Sequence, residues 1–356
     1  MWQHMETLTA SRHCRPIGWI ALMVAGLLVG IGGCGGKTEA VFAGKTMGTT
    51  YHVKVVAGYF QRTAHLQQAI DARLAQVNAS MSTYIKDSEI SRFNAHRQTG
   101  AGFAASADFY FVMQEGQRIH ELSGGAWDGT VDPLVNLWGF GRSGPVDKAP
   151  DQDRIDRVLE QVGFNHLRFA PDRRIFKDRP DIAVDLGSIA KGFGVDAVAK
   201  VLREAGFSRF IVEIGGEVMA AGLRPDDTAW KVGLNRPQAG AALDSVYKTV
   251  ALRDQALATS GDYRQFFQQG GRRYSHLINP ATGWPVDNGV VAVSIVADTC
   301  TLADGLATAV MVMGVTKGLA LIDGLEGVEA LIVEQGADGT LHDHYSKGFA
   351  VLLPQH

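Results

Sequence analysis

The chain runs to 356 residues, 46% of them hydrophobic and 20% charged, ample apolar content for a packed core; disordered and fibrous classes are excluded. Thirty-four Lys and Arg against 37 Asp and Glu leave a formal net charge of -3, so no broad cationic field gathers phosphate backbones, which argues against a nucleic-acid partner. With 42 Gly against 11 Pro there are many turns and no proline-rich linker, and one compact domain is the economical reading.

Arg12, His13 and Arg15 precede Ile17 to Ile31, an uncharged run of about fifteen residues, shorter than the roughly 18 to 20 that a spanning helix needs. This is the basic and apolar pattern of an export signal. Ile31-Gly32-Gly33-Cys34 sets a small residue directly before a cysteine, as a bacterial lipobox does. The expected organisation is a signal over residues 1–33, a lipidated Cys34 with its spacer over 34–44, and a folded body over 45–356. An ordinary signal or anchor with an incidental cysteine would share the same run, and either leads to an exported body. Gly30 to Gly35 also spells G-x-G-x-x-G, but the dinucleotide motif needs a strand before it and a helix after it, and this copy straddles the cleavage site. With Cys14 removed and Cys34 lipidated, Cys300 is left alone and no intramolecular disulfide is available.

In the body, alternation of Tyr51, Val53 and Val55 predicts a strand over 50–56. Helical spacing predicts helices over 62–77, around Phe109 to Leu122 with a stop at Gly124-Gly125, and over 151–162. Strand-like runs follow at 166–169, 174–176 and 182–184, then a helix over 188–205 stopped by Gly206. Further strands are expected at 209–214, 230–234, 245–252, 273–278 and 290–296, helices at 302–313 and 316–323, and terminal strands at 328–333 and 349–353. Helices and strands mix without strict βαβ alternation, so the class is α+β on a mixed, largely antiparallel sheet with flanking helices.

Five segments carry more glycine, acid and hydroxyl than packing requires. In Lys45 to Tyr51, Met47 offers a flexible apolar contact for a planar ring, though a strand lead-in would use the same residues; Tyr84 of Met81-Ser82-Thr83-Tyr84 is equally suited to a core. Ala126, Trp127 and Asp128 in a helix-to-loop passage make a pocket wall with a polar anchor, while Trp138 and Phe140 read as core. In Val184 to Gly192, Asp185 ends a strand, Ser188 is a sensible N-cap, and the helix amides with Lys191 could hold phosphate; a turn cap and a solvated charge are the plain alternatives. His276 stands at a strand end beside a Pro/Gly turn, where a general base or a structural histidine would fit, and Ile278 follows it. Asp304 and Thr308 share a helix face, an oxygen pair suited to a hard cation or simply to the helix N-terminus. No Cys/His cluster argues for zinc.

Taken in order, MGTTY, MSTY with SRFN, GGAWDGTVDPLVNLWGFG, VDLGSIAKG, EIGGEV, ATSGDY, HLINPATG and ADGLATA resemble the ApbE family, the FAD:protein FMN transferases, from Lys45 to about Gly314. The resemblance implies a compact, T-fold-related domain that binds FAD, uses Mg²⁺, and moves FMN onto a Thr or Ser hydroxyl with release of AMP. It places Met47, Tyr84, Ala126, Trp127, Asp128, Asp185, Lys191 and Ile278 at FAD-contact positions. Asp304, the Thr308 hydroxyl and the Ser188 carbonyl fall at metal positions, and His276 at that of the general base. Asn279 departs from the family, which usually has Asp there. The implied acceptors are membrane-bound redox subunits of NADH:quinone or Rnf-type complexes, reached from a lipid anchor facing the periplasm. An FAD pyrophosphatase yielding FMN and AMP, and a flavin-binding lipoprotein without chemistry, are the competing readings; the Asp304/Thr308 pair and His276 count against the last.

Overall fold

The computed structural model describes residues 37–141, 144–146, 148–238, 240–242, 245–262, 266–269 and 272–354. The expected signal, lipobox and Cys34 lie outside the described residues. A hairpin of β1 (Thr38–Thr46) and β2 (Thr49–Ala57) leads into α1 (Leu66–Met81) and α2 (Glu89–Ala95). Then come β3 (Phe103–Ala104), α3 (Ala107–Leu122), α4 (Asp132–Leu137), α5 (Gln152–Leu159), β4 (Leu167–Phe169) and β5 (Arg174–Lys177). The long helix α6 (Ala190–Glu204) precedes β6 (Phe210–Ile214), β7 (Glu217–Ala221), β8 (Trp230–Asn235), β9 (Val246–Leu252) and β10 (Gln255–Gly261). The remainder is β11 (Phe266–Gln269), β12 (Arg272–Ser275), β13 (Val290–Ala297), α7 (Cys300–Met313), α8 (Val315–Ile322), β14 (Glu329–Gln335) and β15 (Leu341–Tyr345).

An eight-stranded sheet in the order β1-β2-β6-β7-β10-β13-β14-β15 organises the molecule, antiparallel at every pairing. Helices α1, α6 and α7 cover one face: Leu66, Ile70 and Leu74 pack with Val198 and Leu202 over Val53, Val55 and Phe210. The β8–β9 hairpin covers the other, setting Trp230 and Leu252 against Val218, Leu257 and Val296. With both faces covered, the central strands β7 and β13 are buried at every residue, which is why Val290 to Ala297 is a nearly unbroken apolar run. A second lobe packs α3 against the small β3-β5-β4 sheet, with α4 and α5 beside it.

Several elements differ from expectation. Residues 38–44, expected as spacer, belong to edge strand β1; its Gly44 lies flat against the Tyr51 ring, where a side chain would clash at 2.6 Å. Helix α1 starts at Leu66, and residues 182–184 are not a strand: Val184 is instead clamped by the Asn94 amide, which accepts its N–H and donates to its carbonyl, each at 2.8 Å. Residues 349–352 form a 3-10 turn, because Phe349 and Leu352 are buried at a spacing of three, not two.

Candidate active site

A cavity of about 640 Å³ opens between the two lobes and takes its walls from widely separated segments. The first wall follows α3. Gly124 and Gly125, at φ of 61° and 85°, reverse the chain so that Ser123 Oγ accepts the Trp127 N–H at 3.1 Å. Trp127 is 1% exposed and fits only because Gly116 of α3 lacks a side chain, since a Cβ there would lie 2.7 Å from the indole. Its Nε1 donates to Ser188 Oγ at 3.0 Å, tying this wall to the next. The Asp128 carboxylate accepts from the Thr130 N–H (2.8 Å) and hydroxyl (2.5 Å) through one oxygen and from the Phe164 N–H (2.9 Å) through the other. The polar anchor expected at Asp128 therefore serves first to hold its own loop.

The second wall is the turn into α6. Asp185 Oδ1 accepts the Gly187 N–H at 2.7 Å and Oδ2 accepts the Thr83 hydroxyl at 3.3 Å, so this carboxylate links the turn to the segment carrying Tyr84. Tyr84 is 86% exposed at the cavity mouth, which excludes a core role. Ser188 does not cap the helix: the N-cap is Ile189, without a side-chain bond, and the Ser188 hydroxyl receives Trp127 instead.

Charge is concentrated on the third wall, where α6, α7 and β7 meet. Lys191 Nζ lies 2.6 Å from Glu217 Oε1 and 3.7 Å from Asp304 Oδ1, with both carboxylates nearly inaccessible to solvent. The Gly192 N–H donates to Asp304 Oδ2 at 2.9 Å, and Gly192 touches the Cys300 carbonyl so closely that a Cβ would sit 2.3 Å from it. Burial, then repulsion from Asp304, push the Glu217 carboxyl up to about 8 against the pull of Lys191. Burial would lower the Lys191 ammonium, but Asp304 and Glu217 outweigh it and hold it above the ordinary lysine value. Glu217 Oε2 is buried without a hydrogen-bond partner. Glu217 is not among the residues the sequence singles out, although it stands in EIGGEV; an acid opening an otherwise apolar buried strand is the available signal.

The fourth wall joins β10, α7 and the segment after β12. Thr308 stands one turn beyond Asp304, its hydroxyl 3.1 Å from Ser260 Oγ of β10. His276 follows β12, half-buried, with Phe140 edge-on at 6.4 Å between ring centroids. Ile278 is buried and bridges Pro285, and Asn279 closes the loop by accepting the Ala281 N–H at 2.9 Å. That turn needs an acceptor oxygen and no charge, so an amide serves there as a carboxylate would.

Ala126, Trp127, Asp128, Asp185, Ser188, Lys191, His276, Ile278, Asp304 and Thr308 thus converge with Tyr84 on one cavity. Met47 does not line it. Met47 and Gly48, at φ of 49° and 73°, form the two-residue turn of the β1–β2 hairpin, and the Met47 methyl packs over Gly194 of α6. Among the described residues no group of three or more His, Cys, Asp or Glu is placed to hold a metal. The oxygen donors Asp304 and Thr308 nevertheless suit a hard cation, and the unpartnered Glu217 oxygen lines the same cavity.

The ApbE family model matches residues 47–332, which contain all four walls. The chain belongs to the ApbE family. A Vibrio cholerae relative named FAD:protein FMN transferase is 41% identical over 341 residues, covering 94% of this chain and 98% of its own. Among solved structures, the Vibrio cholerae flavin transferase ApbE superposes with a TM-score of 0.81 at 40% identity, covering 89% of this chain and 100% of that one. The Pseudomonas stutzeri flavinyl transferase ApbE, in apo form, gives 0.80 at 34%, covering 89% and 97%. The α+β architecture read from the sequence is therefore that of the ApbE flavin transferases.

Proposed function

We infer that this chain is an FAD:protein FMN transferase that moves FMN from FAD to a Thr or Ser hydroxyl of a target protein and releases AMP. The observation that carries the reading is the convergence of His276, Lys191, Asp304 and Thr308 on one cavity between two lobes. His276 accepts the hydroxyl proton, the hydroxyl oxygen bonds to the FMN phosphorus, and the bond to the AMP phosphate breaks, its electron pair leaving with AMP. Histidine suits this step because its unperturbed value of roughly 6.5 lies near working pH. The Lys191 ammonium, fixed between Glu217 and Asp304, offsets their negative charge where the phosphates would lie. Tyr84, exposed at the cavity mouth, offers an aromatic face to a flavin ring, with Trp127 and Ile278 packed into the wall behind.

Asp304, the Thr308 hydroxyl and the Ser188 carbonyl would hold Mg²⁺. One carboxylate suffices, because Mg²⁺ fills its octahedron with water and substrate phosphate oxygens, and a group of three acidic or imidazole ligands is not required. The ion would supply charge neutralisation on the pyrophosphate.

The body is exported and lipidated at Cys34, facing the periplasm, with membrane-bound redox subunits of NADH:quinone or Rnf-type complexes as acceptors. What supports the export and the anchor is the Arg12 to Cys34 pattern, and the acceptor class is what the family resemblance implies. The test is product analysis: FAD turnover that yields AMP without free FMN, and only when an acceptor domain is added, supports the transferase. AMP and FMN in equal amounts with every acceptor tried would replace it with FAD hydrolysis.

A further inference from the structure

Two exposed aromatics lie far from the cavity. Phe60, at 92%, is the most exposed large apolar side chain among the described residues, and its neighbour Tyr59 is 78% exposed, the rings edge-to-face at 5.1 Å. They are the central pair of a tight turn: the Gln61 N–H donates to the Gly58 carbonyl at 3.0 Å, and the Gln61 side-chain oxygen accepts the Gly58 N–H at 2.9 Å. Gln61 Nε2 also donates to the Gly206 carbonyl at 3.2 Å, pinning the turn to the end of α6. The rings are thus held outward by a fixed backbone, where a free loop would fold them back.

The place of this turn identifies what it meets. In the β1–β2 register Thr38 pairs with Ala57, so the chain enters the fold beside the turn. Cys34 precedes Thr38 by four residues, a reach of at most about 14 Å. Exposed Arg62 follows the aromatic pair two residues on, a cation suited to anionic headgroups. Aromatic rings with a polar rim are the side chains that settle at a membrane–water interface.

We propose that the Tyr59-Phe60 turn inserts into the interfacial layer of the bilayer that carries the anchor, and so fixes the orientation of the enzyme. The inference rests on the reading of Cys34 as lipidated. It also sets a height. The cavity lies at the opposite end of β2, where the Gly215 N–H donates to the Thr50 carbonyl, and the eight residues from Thr50 to Ala57 span about 23 Å. With β2 directed away from the bilayer, acceptor hydroxyls would be carried on domains that stand clear of the membrane surface.

The test uses the full lipidated chain in vesicles of phosphatidylethanolamine and phosphatidylglycerol. An environment-sensitive NBD label is placed at Phe60→Cys or, for comparison, at Tyr84→Cys; Cys300 is buried and stays unlabelled. The expected result is a blue shift and loss of most emission with doxyl-labelled lipid for the label at 60, and no change for the label at 84. Protein that floats with the vesicles while the label at 60 ignores the doxyl lipid overturns the insertion and leaves the anchor standing. Quenching at 84 in place of 60 overturns the orientation. Failure of the full chain to float removes the anchor and the proposal together.

Discussion

Replacing Gly192 with alanine tests the helix contact on which the charged wall depends. In an open helix interior the change would stabilise by up to about 1 kcal/mol through propensity. Here the new methyl arrives 2.3 Å from the Cys300 carbonyl oxygen and 2.8 Å from Asp304 Cβ, both on or beside the backbone of α7. Helices α6 and α7 must move apart, which costs about 1 to 3 kcal/mol in a packed core. The same movement stretches the buried Gly192 N–H bond to Asp304 Oδ2, worth about 1.5 to 3 kcal/mol for a charged acceptor. The net expectation is a loss of about 2 to 4 kcal/mol, together with weaker FAD binding as Asp304 shifts. Urea unfolding of both proteins, followed by FAD titration under folding conditions, reads both effects. An unchanged or raised urea midpoint would refute the close α6–α7 approach and the positioning role given to Gly192.

Three further outcomes follow from individual side chains. Lys177 is 1% exposed over the Phe93 ring, and burial, then Arg97, lower its ammonium to about 8. Between pH 8 and 10.5 the unfolded chain therefore holds a proton that the folded one has released, and stability should rise across that window by up to about 3 kcal/mol. Urea midpoints of wild type and Lys177→Met at pH 7.5 and 9.5 check this: the rise belongs to wild type alone. Asp304→Ala should abolish transfer and weaken Mg²⁺-dependent FAD binding, and wild-type turnover in the variant would remove Asp304 from the metal site. His276→Asn should lower transfer by about 10²- to 10⁴-fold while FAD still binds in equilibrium titration; full activity would assign the proton elsewhere.

Chemistry-bearing residues were more legible in the sequence than the strands that carry them. Trp127, Asp185, Lys191, His276, Asp304 and Thr308 stand in short motifs whose glycine and acid content exceeds what packing explains, and they meet in one cavity. Strand β1 was missed because an edge strand needs little apolar alternation when one face is solvated, and Ala40 and Gly44 give a weak signal. Ser188 satisfied every local rule for an N-cap, yet the indole of Trp127, 61 residues away in sequence, takes its hydroxyl. Asp128 lines the cavity and also ties its own loop: its bond to Thr130 is local, whereas the Phe164 N–H reaches it only in the fold. Glu217 has only a faint local mark, an acid opening an apolar strand, and its meaning comes from Lys191 and Asp304 on two other elements. Local chemistry reads out locally, and pairing across elements does not.

The most direct measurement is the intact mass of a candidate acceptor domain after incubation with the enzyme, FAD and Mg²⁺. The account predicts a gain of one FMN phosphoryl unit, matched by AMP, absent with EDTA and absent when the acceptor Thr or Ser is replaced by alanine. An acceptor of unchanged mass beside stoichiometric AMP and free FMN, for every membrane redox subunit tested, would contradict it.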